Sequence, residues 1–108
     1  MNLANRNNEG KVRLGLISPI AEVELGKVLT KGAEEYEPYN WCKGLKWTEC
    51  IDSLKRHLNS FQQGIDRDKQ TGELHMAHIM ANAMFLIEYY YTHKELDDRP
   101  KHYTNNKD

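Results

Sequence analysis

Residues 72–87 read Gly-Glu-Leu-His-Met-Ala-His-Ile-Met-Ala-Asn-Ala-Met-Phe-Leu-Ile, an apolar stretch interrupted by three polar side chains. His75, His78 and Asn82 are spaced by three and four positions, so on an α-helix they share one face. Because the residues around them are apolar, the stretch predicts a largely buried helix. A buried polar stripe costs free energy unless it is satisfied, which indicates a metal, an anion or a polar network.

A purely structural interpretation of this stripe also exists, in which three core polar groups bond to one another and to helix carbonyls. The His-x-x-His spacing is a weak zinc signal by itself, because the His-Glu-x-x-His pattern is absent and Cys42 and Cys50 are not spaced as a second ligand pair. Three such groups on one face beside a polar turn nevertheless favour a functional site over a structural network.

The composition is that of one small globular domain. The chain has 108 residues, 39% of them hydrophobic and 29% charged, which suits a folded protein with a single core. Fifteen Lys and Arg against sixteen Asp and Glu give a net charge of −1. No general attraction to a nucleic-acid polymer or a membrane is therefore expected, and any anion site must be a local cluster.

The sequence predicts a cytoplasmic protein. Its longest apolar run is too short to span a bilayer, and residues 1–13 are polar and lack the apolar core of a signal peptide. Without a secretory signal, the two cysteines are expected to be reduced thiols.

Helix signals divide the chain into an all-α fold with three long helices. Ser18 and Pro19 predict the start of the first, which runs to about Tyr36; Thr48 is a plausible N-cap of the second, which ends near Gly64. The third covers about residues 73–93. We predict a flexible arm over 1–17, a helical domain over 18–94 and a polar tail over 95–108. The heavy apolar load of so short a chain favours a homo-oligomer, a dimer or a tetramer.

A second constellation lies on the predicted second helix. Asp52 and Arg56 are four positions apart and share a face, while His57 lies near the apolar side. The structural alternative is an exposed ion pair worth less than about 1 kcal/mol. If this helix faces the polar stripe, the two together would hold a metal and a phosphate.

Acidic residues offer further candidates with simpler explanations. Glu34-x-x-Glu37 and Glu49-x-x-Asp52 are carboxylate couples at helical spacing, the ligand type that Mg²⁺ prefers, although a solvated acidic face is the better explanation of the first couple. Asp68, in the polar turn before the third helix, either caps that helix or reaches a metal.

Four motifs in order resemble one known family. They are Lys31-Gly-Ala-Glu-Glu-Tyr36, Asn40-Trp-x-x-Gly-Leu-x-Trp47, Arg56-His-Leu58 and Asp68-x-x-x-Gly-x-x-His-x-x-His-x-x-x-Asn82. Together they resemble the phage and bacterial dATP/dGTP diphosphohydrolase-like (MazZ-like) domain, related to the MazG-type all-α nucleotide pyrophosphohydrolases. The resemblance runs from about residue 18 to residue 90.

The resemblance implies a helical oligomer that uses a divalent metal, Mg²⁺, Mn²⁺ or Co²⁺, to hydrolyse a nucleoside triphosphate to the monophosphate and pyrophosphate. The expected substrate is dGTP or dATP, and the expected location is the cytoplasm of a bacterium or of a phage-infected bacterial host. His75-x-x-His78 occupies the place of a carboxylate couple in MazG-type enzymes, which shifts the expected preference toward metals that imidazole suits. Expected metal ligands are Asp52, Asp68, His75 and His78; expected catalytic residues are His57, Asp52 and His78; expected substrate-binding residues are Lys31, Asn40, Trp41, Arg56 and Asn82.

Two other classes of function remain open. The first is a catalytically silent module of the same fold that binds a nucleotide or a protein. The second is a structural zinc domain, in which His57, His75 and His78 with a cysteine hold the fold together.

Overall fold

Three long helices account for most of the molecule. The computed structural model describes residues 2–101 and contains α1 (Pro19–Glu35), α2 (Trp47–Gln62) and α3 (His75–Thr92). Short 3₁₀ turns occupy Leu14–Leu16, Asn40–Lys43 and Lys94–Leu96. Within residues 2–101 there is no strand, only an isolated β-bridge between Arg67 and Leu74, so the all-α prediction is confirmed.

The structure describes only part of the two terminal segments that the sequence predicts. Met1 of the predicted arm and residues 102–108 of the predicted tail lie outside the described residues. The division itself stays a prediction. Among the described helices, none combines the length and the apolar character that a membrane crossing requires.

The helix starts show one confirmed local signal and one that was wrong. Ser18 caps α1 as predicted, because its hydroxyl accepts a hydrogen bond from the Ala21 N–H at 3.1 Å. Thr48 is not the N-cap of α2, which already begins at Trp47. Instead, the Thr48 N–H and hydroxyl donate to the carboxylate of Asp98 at 3.0 and 2.6 Å. A side chain fifty residues away satisfies the helix end, which no local pattern reveals.

The third helix is the central one, because it packs against both α2 and α1. Its small residues Ala77 and Ala81 are buried, which lets the neighbouring helices approach closely. The polar stripe of His75, His78 and Asn82 therefore lies between helices and not on the surface.

A compact aromatic core joins the helices to the segment between α1 and α2. Trp47, Cys50 and Tyr89 are buried, and Tyr89 is fully enclosed. The Tyr89 hydroxyl donates to the Trp41 carbonyl at 2.6 Å, and the Trp47 indole N–H donates to the His93 carbonyl at 3.2 Å. Both buried polar groups are thus satisfied, and the 40–43 turn is fixed to α3.

Part of the predicted C-terminal tail is attached to this core. Leu96 packs against the core, Asp98 bonds to Thr48, and the Arg99 guanidinium lies 4.8 Å from the centre of the Trp47 ring. These contacts hold the segment that follows α3 against the start of α2.

Replacing Gly44 with alanine is expected to lower the free energy of unfolding by about 2–3 kcal/mol. Gly44 has a φ of +102°, and an added Cβ would lie 2.5 Å from Leu96 Cδ1 and 2.8 Å from His93 Cδ2. Urea unfolding followed by circular dichroism measures the change. Gly26 in α1 is the control, since nothing lies within 4 Å of its Cβ position and alanine there is expected to stabilise by up to about 1 kcal/mol. Equal effects at both positions would contradict the prediction.

Candidate functional site

The turn before α3 holds the carboxylate of Asp68 in a fixed place. Asp68 Oδ2 accepts hydrogen bonds from both the backbone N–H and the hydroxyl of Thr71, each at 2.9 Å. The Asp68 N–H donates to the Glu73 carbonyl at 2.8 Å, and the Gly72 N–H donates to the Asp68 carbonyl at 2.7 Å. Gly72 has a φ of +77°, a conformation that favours glycine. Asp68 therefore organises its turn and also faces the start of α3.

Three imidazole rings meet beside this carboxylate. Nδ1 of His57 lies 2.8 Å from Nδ1 of His75, so one nitrogen donates and the other accepts. The His57 ring also stacks on His78, with centroids 4.3 Å apart and planes 1° from parallel. One ligand atom from each of His57, Asp68 and His75 lies within 4.8 Å of the others. We call His57, Asp68, His75 and His78 the histidine–aspartate cluster.

Burial sets the charge state of the cluster. It lowers the pKa of His57 to about 4; the neighbouring His78 adds to the decrease, and Asp68 opposes it. Burial also lowers the pKa of His78, and the negative charge of Asp68 again opposes this decrease. For Asp68 itself, burial raises the pKa, but the two hydrogen bonds from Thr71 outweigh that effect and the net shift is downward. At pH 7 the cluster therefore contains neutral His57 and His78 and an ionised Asp68.

A cavity of about 1010 Å³ adjoins the cluster and is bounded by α1, α2, α3 and the segment between α1 and α2. All five residues predicted to bind substrate line it: Lys31, Asn40, Trp41, Arg56 and Asn82. Thr71 and His78 line it as well, so the cavity and the cluster share a wall. The stacked rings of Trp41 and Phe85, 5.3 Å apart, form an aromatic part of the lining. Three carboxylates, Glu35, Glu37 and Glu49, also lie along it.

Two of the lining residues already have protein partners. The Lys31 ammonium donates to the Thr71 carbonyl and lies 3.2 Å from a Glu73 carboxylate oxygen, which joins α1 to the turn before α3. The Asn82 amide donates to Ser53 Oγ at 3.1 Å and to the His78 carbonyl at 3.0 Å. Both residues therefore help to shape the cavity as well as line it.

Not every predicted ligand joins the others. Asp52 is exposed on α2 and belongs neither to the cluster nor to the cavity lining. His57, expected as a base, lies instead among the atoms that are positioned to hold a cation. Thr71 is a residue of this site that the sequence motifs did not indicate, although its position three residues after an aspartate is typical of a side-chain-bonded turn.

The cysteines lie apart from the cluster. Both are free, as expected; Cys42 is exposed and Cys50 is buried in the aromatic core, where burial raises its pKa to about 11. Among the residues described, no cysteine joins the group that is spaced to hold a metal. The geometry of the described residues therefore gives no support to a zinc site that includes a cysteine.

The chain is similar in sequence to known proteins. The family described as dATP/dGTP diphosphohydrolase, N-terminal, matches residues 2–99. The chain belongs to this family. The dATP/dGTP diphosphohydrolase of Salmonella phage PMBT28 is 35% identical over 92 residues, which cover 85% of this chain and 31% of the relative. The chain thus spans about a third of that relative's length, and no solved structure matches it.

This family match confirms the resemblance drawn from the four motifs. The match extends into the segments before Ser18 and after Tyr90, where the motifs gave no signal. It includes every residue of the histidine–aspartate cluster and of the cavity lining.

Acidification is expected to destabilise the protein between about pH 6.5 and pH 4. An unperturbed histidine has a pKa of about 6.5, whereas that of His57 is lowered to about 4 and that of His78 is also lowered. In this window the unfolded chain binds more protons than the folded one, so stability is complete above it and falls as the pH decreases. Urea unfolding at several pH values measures the slope, and His57→Gln should reduce it. Stability that rises on acidification from pH 6.5 to pH 5 would contradict this assignment.

Proposed function

We propose that this chain is a hydrolase domain that converts a purine deoxynucleoside triphosphate, dGTP or dATP, to the monophosphate and pyrophosphate with a divalent cation. The observation that carries the proposal is the shared wall between the cavity and the histidine–aspartate cluster. A cavity of about 1010 Å³ is large enough for a nucleotide. The family name and the name of the phage relative support the same substrates.

The cluster fits a divalent cation by the chemistry of its donors. Two imidazole nitrogens 2.8 Å apart can both reach a cation whose ligand distance is about 2.1 Å, and Asp68 adds an oxygen ligand. Because two of the three donors are imidazoles, we expect Mn²⁺ or Co²⁺ to be preferred over Mg²⁺. The low pKa of His57 means that protons compete weakly for its nitrogen at neutral pH. When bound, the cation would neutralise phosphate charge and acidify a water molecule.

Other residues of the cavity lining are suited either to the phosphate end or to the base end of a nucleotide. Arg56 lines the cavity, and its planar guanidinium suits two phosphate oxygens at once. Lys31 contributes less free charge, because Glu73 already pairs with it. At the other end, the Trp41 and Phe85 rings offer a flat apolar surface to a base, and Asn40 can bond to a base edge. Neutral His78, which lines the cavity beside the cluster, would accept a proton from water.

Three glutamates of the cavity lining influence whether a nucleotide binds as a free anion or as its metal complex. Glu35, Glu37 and Glu49 would repel a triphosphate that approached without a cation. The Lys43 ammonium pairs with Glu37 and offsets part of that charge. Binding of the nucleotide as its metal complex is therefore favoured over binding of the free anion.

A panel of canonical and modified ribo- and deoxynucleoside triphosphates tests the proposal. Each is incubated with Mg²⁺, Mn²⁺ or Co²⁺, and pyrophosphate and orthophosphate are measured separately. We expect pyrophosphate from dGTP or dATP, and His78→Ala should abolish its release while circular dichroism shows an intact helical fold. Release of orthophosphate, or no product from any triphosphate, would remove the hydrolase proposal.

A nucleotide-binding module is the second candidate, because the chain spans only 31% of its named relative and catalytic parts can lie elsewhere in that protein. In that case calorimetry would detect binding of a triphosphate without turnover. The reaction or the binding would occur where the deoxynucleotide pool lies, in the cytoplasm of the host.

Self-association is proposed on the basis of exposed surface. Large apolar side chains lie uncovered in the turn before α1, at the start of α1 and at the end of α3, among them Leu16, Ile20, Val23, Ile87 and Tyr91. A dimer or tetramer would cover them. Light scattering that finds a stable monomer at micromolar concentration would contradict this.

A further inference from the structure

The hydroxyl of Thr71 makes three contacts that leave only one assignment of hydrogen atoms. Thr71 Oγ1 lies 2.9 Å from Asp68 Oδ2, 2.8 Å from His78 Nε2 and 3.2 Å from the Glu73 backbone nitrogen. A hydroxyl has one hydrogen to donate and two lone pairs to accept with. An ionised carboxylate only accepts, so the Thr71 hydrogen goes to Asp68. The Glu73 N–H only donates, so it takes one lone pair.

The remaining contact, with His78, must then use the second lone pair of the Thr71 oxygen. His78 therefore donates through an Nε2–H. Since a neutral imidazole carries a single N–H, Nδ1 of His78 is left without a hydrogen. Threonine at position 71 thus selects one of two tautomers of a ring that lines the cavity.

The same hydroxyl orients the carboxylate. Both donors of Thr71, its N–H and its O–H, bond to Oδ2 of Asp68, so Oδ1 is the oxygen that Thr71 leaves free. The Thr71 carbonyl in turn accepts from the Lys31 ammonium, which ties this residue to α1. One side chain and its peptide therefore connect the turn, α3 and α1.

We propose that Thr71 is a positioning residue of this site, whose hydroxyl holds the proton of His78 on Nε2 and turns the Asp68 carboxylate so that Oδ1 is offered to a cation. The inference rests on the proposed function for the presence of the cation. The assignment of the His78 tautomer does not depend on the cation, because it rests on the hydrogen bonds of Thr71 with an ionised Asp68 and a neutral His78. Groups that fix the tautomer and orientation of ligands in this way typically change metal affinity by about 10–100-fold when removed.

The experiment compares Thr71→Val, which keeps the shape and removes the hydroxyl, with Thr71→Ser, which keeps the hydroxyl. Thr92→Val is the matched control, because the Thr92 hydroxyl also contacts a histidine ring, His93 Nδ1 at 2.8 Å, outside the cluster and the cavity. Nitrogen-15 NMR of the histidine rings in the full chain without metal, near pH 7, reports the tautomer. Calorimetry with Mn²⁺ reports the affinity, and circular dichroism verifies the fold.

We expect the Nε2–H tautomer of His78 in the wild type, in Thr71→Ser and in Thr92→Val. In Thr71→Val we expect a mixture of tautomers and a Mn²⁺ affinity lower by about 10–100-fold. An Nδ1–H tautomer in the wild type overturns the proposal without any variant, which keeps it testable even if Thr71→Val does not fold. An unchanged tautomer or an unchanged affinity in folded Thr71→Val overturns it as well. If the wild type binds no Mn²⁺, the cation of the proposed function is lost, while the NMR result still decides the role of Thr71.

Discussion

Replacing His57 with alanine is expected to abolish binding of a divalent cation and to reduce turnover by at least about 100-fold. The substitution removes one of three grouped donors and leaves Nδ1 of His75 without the partner that lies 2.8 Å away. It also removes the ring that stacks on His78. Mn²⁺ titration by calorimetry measures the first effect, and release of pyrophosphate measures the second.

Asp52→Asn is the matched variant on the same helix, because the structure and the sequence make opposite predictions for it. The sequence analysis placed Asp52 among the ligands, so its loss should resemble the loss of His57. The structure leaves Asp52 exposed and outside both the cluster and the cavity lining, so cation affinity should stay close to that of the wild type. Equal loss in both variants would show that the cluster is not the site.

Replacing Tyr89 with alanine is expected to lower the free energy of unfolding by about 3–5 kcal/mol. Tyr89 is fully enclosed among Trp47, Cys50 and Phe85, and its loss would leave a cavity between α2 and α3. Small domains have a free energy of unfolding of only about 5–15 kcal/mol. This single change therefore removes a large part of it. Urea unfolding of the variant measures the decrease.

Tyr89→Phe separates packing from hydrogen bonding in the same place. It keeps the ring but removes the hydroxyl that donates to the Trp41 carbonyl at 2.6 Å, so that the Gly44 N–H at 3.1 Å is the donor that remains, at an expected cost of about 1 kcal/mol. Because that bond fixes the turn that carries Trp41 into the cavity wall, nucleotide binding should also weaken. Val12→Ala is the control, since Val12 is 85% exposed and should change stability by less than about 0.5 kcal/mol. A Tyr89→Ala variant as stable as this control would contradict the assigned core.

What the sequence predicted correctly depends on contacts within one helix. The Ser18 cap involves a bond across three residues, and the spacing of His75, His78 and Asn82 follows from the geometry of a single helix. In each case the deciding atoms are close in the chain, so residue type and spacing were sufficient.

The features that the sequence did not predict depend on how each helix is rotated about its own axis relative to its neighbours. His57 reaches the cluster and Asp52 does not, although both lie on α2, because the rotation of that helix against α3 is set by Trp47 and Cys50 in the core. The bond from Thr48 to Asp98 joins residues fifty positions apart, and no local pattern connects them. Contacts of this kind follow from packing and not from spacing.

The direct bond between His57 and His75 has a consequence for the cation that we propose. Each of these ring nitrogens satisfies the other at 2.8 Å, so the cluster has a complete hydrogen-bonded form in which no cation takes part. Folding is therefore not expected to depend on the proposed cation, in contrast to small zinc domains that unfold when a chelator is added. If a cation bound to both Nδ1 atoms, the hydrogen that they share would have to leave Nδ1, and the cation would then link the same two rings. Such a cation would be exchanged without any need for the helices to unfold.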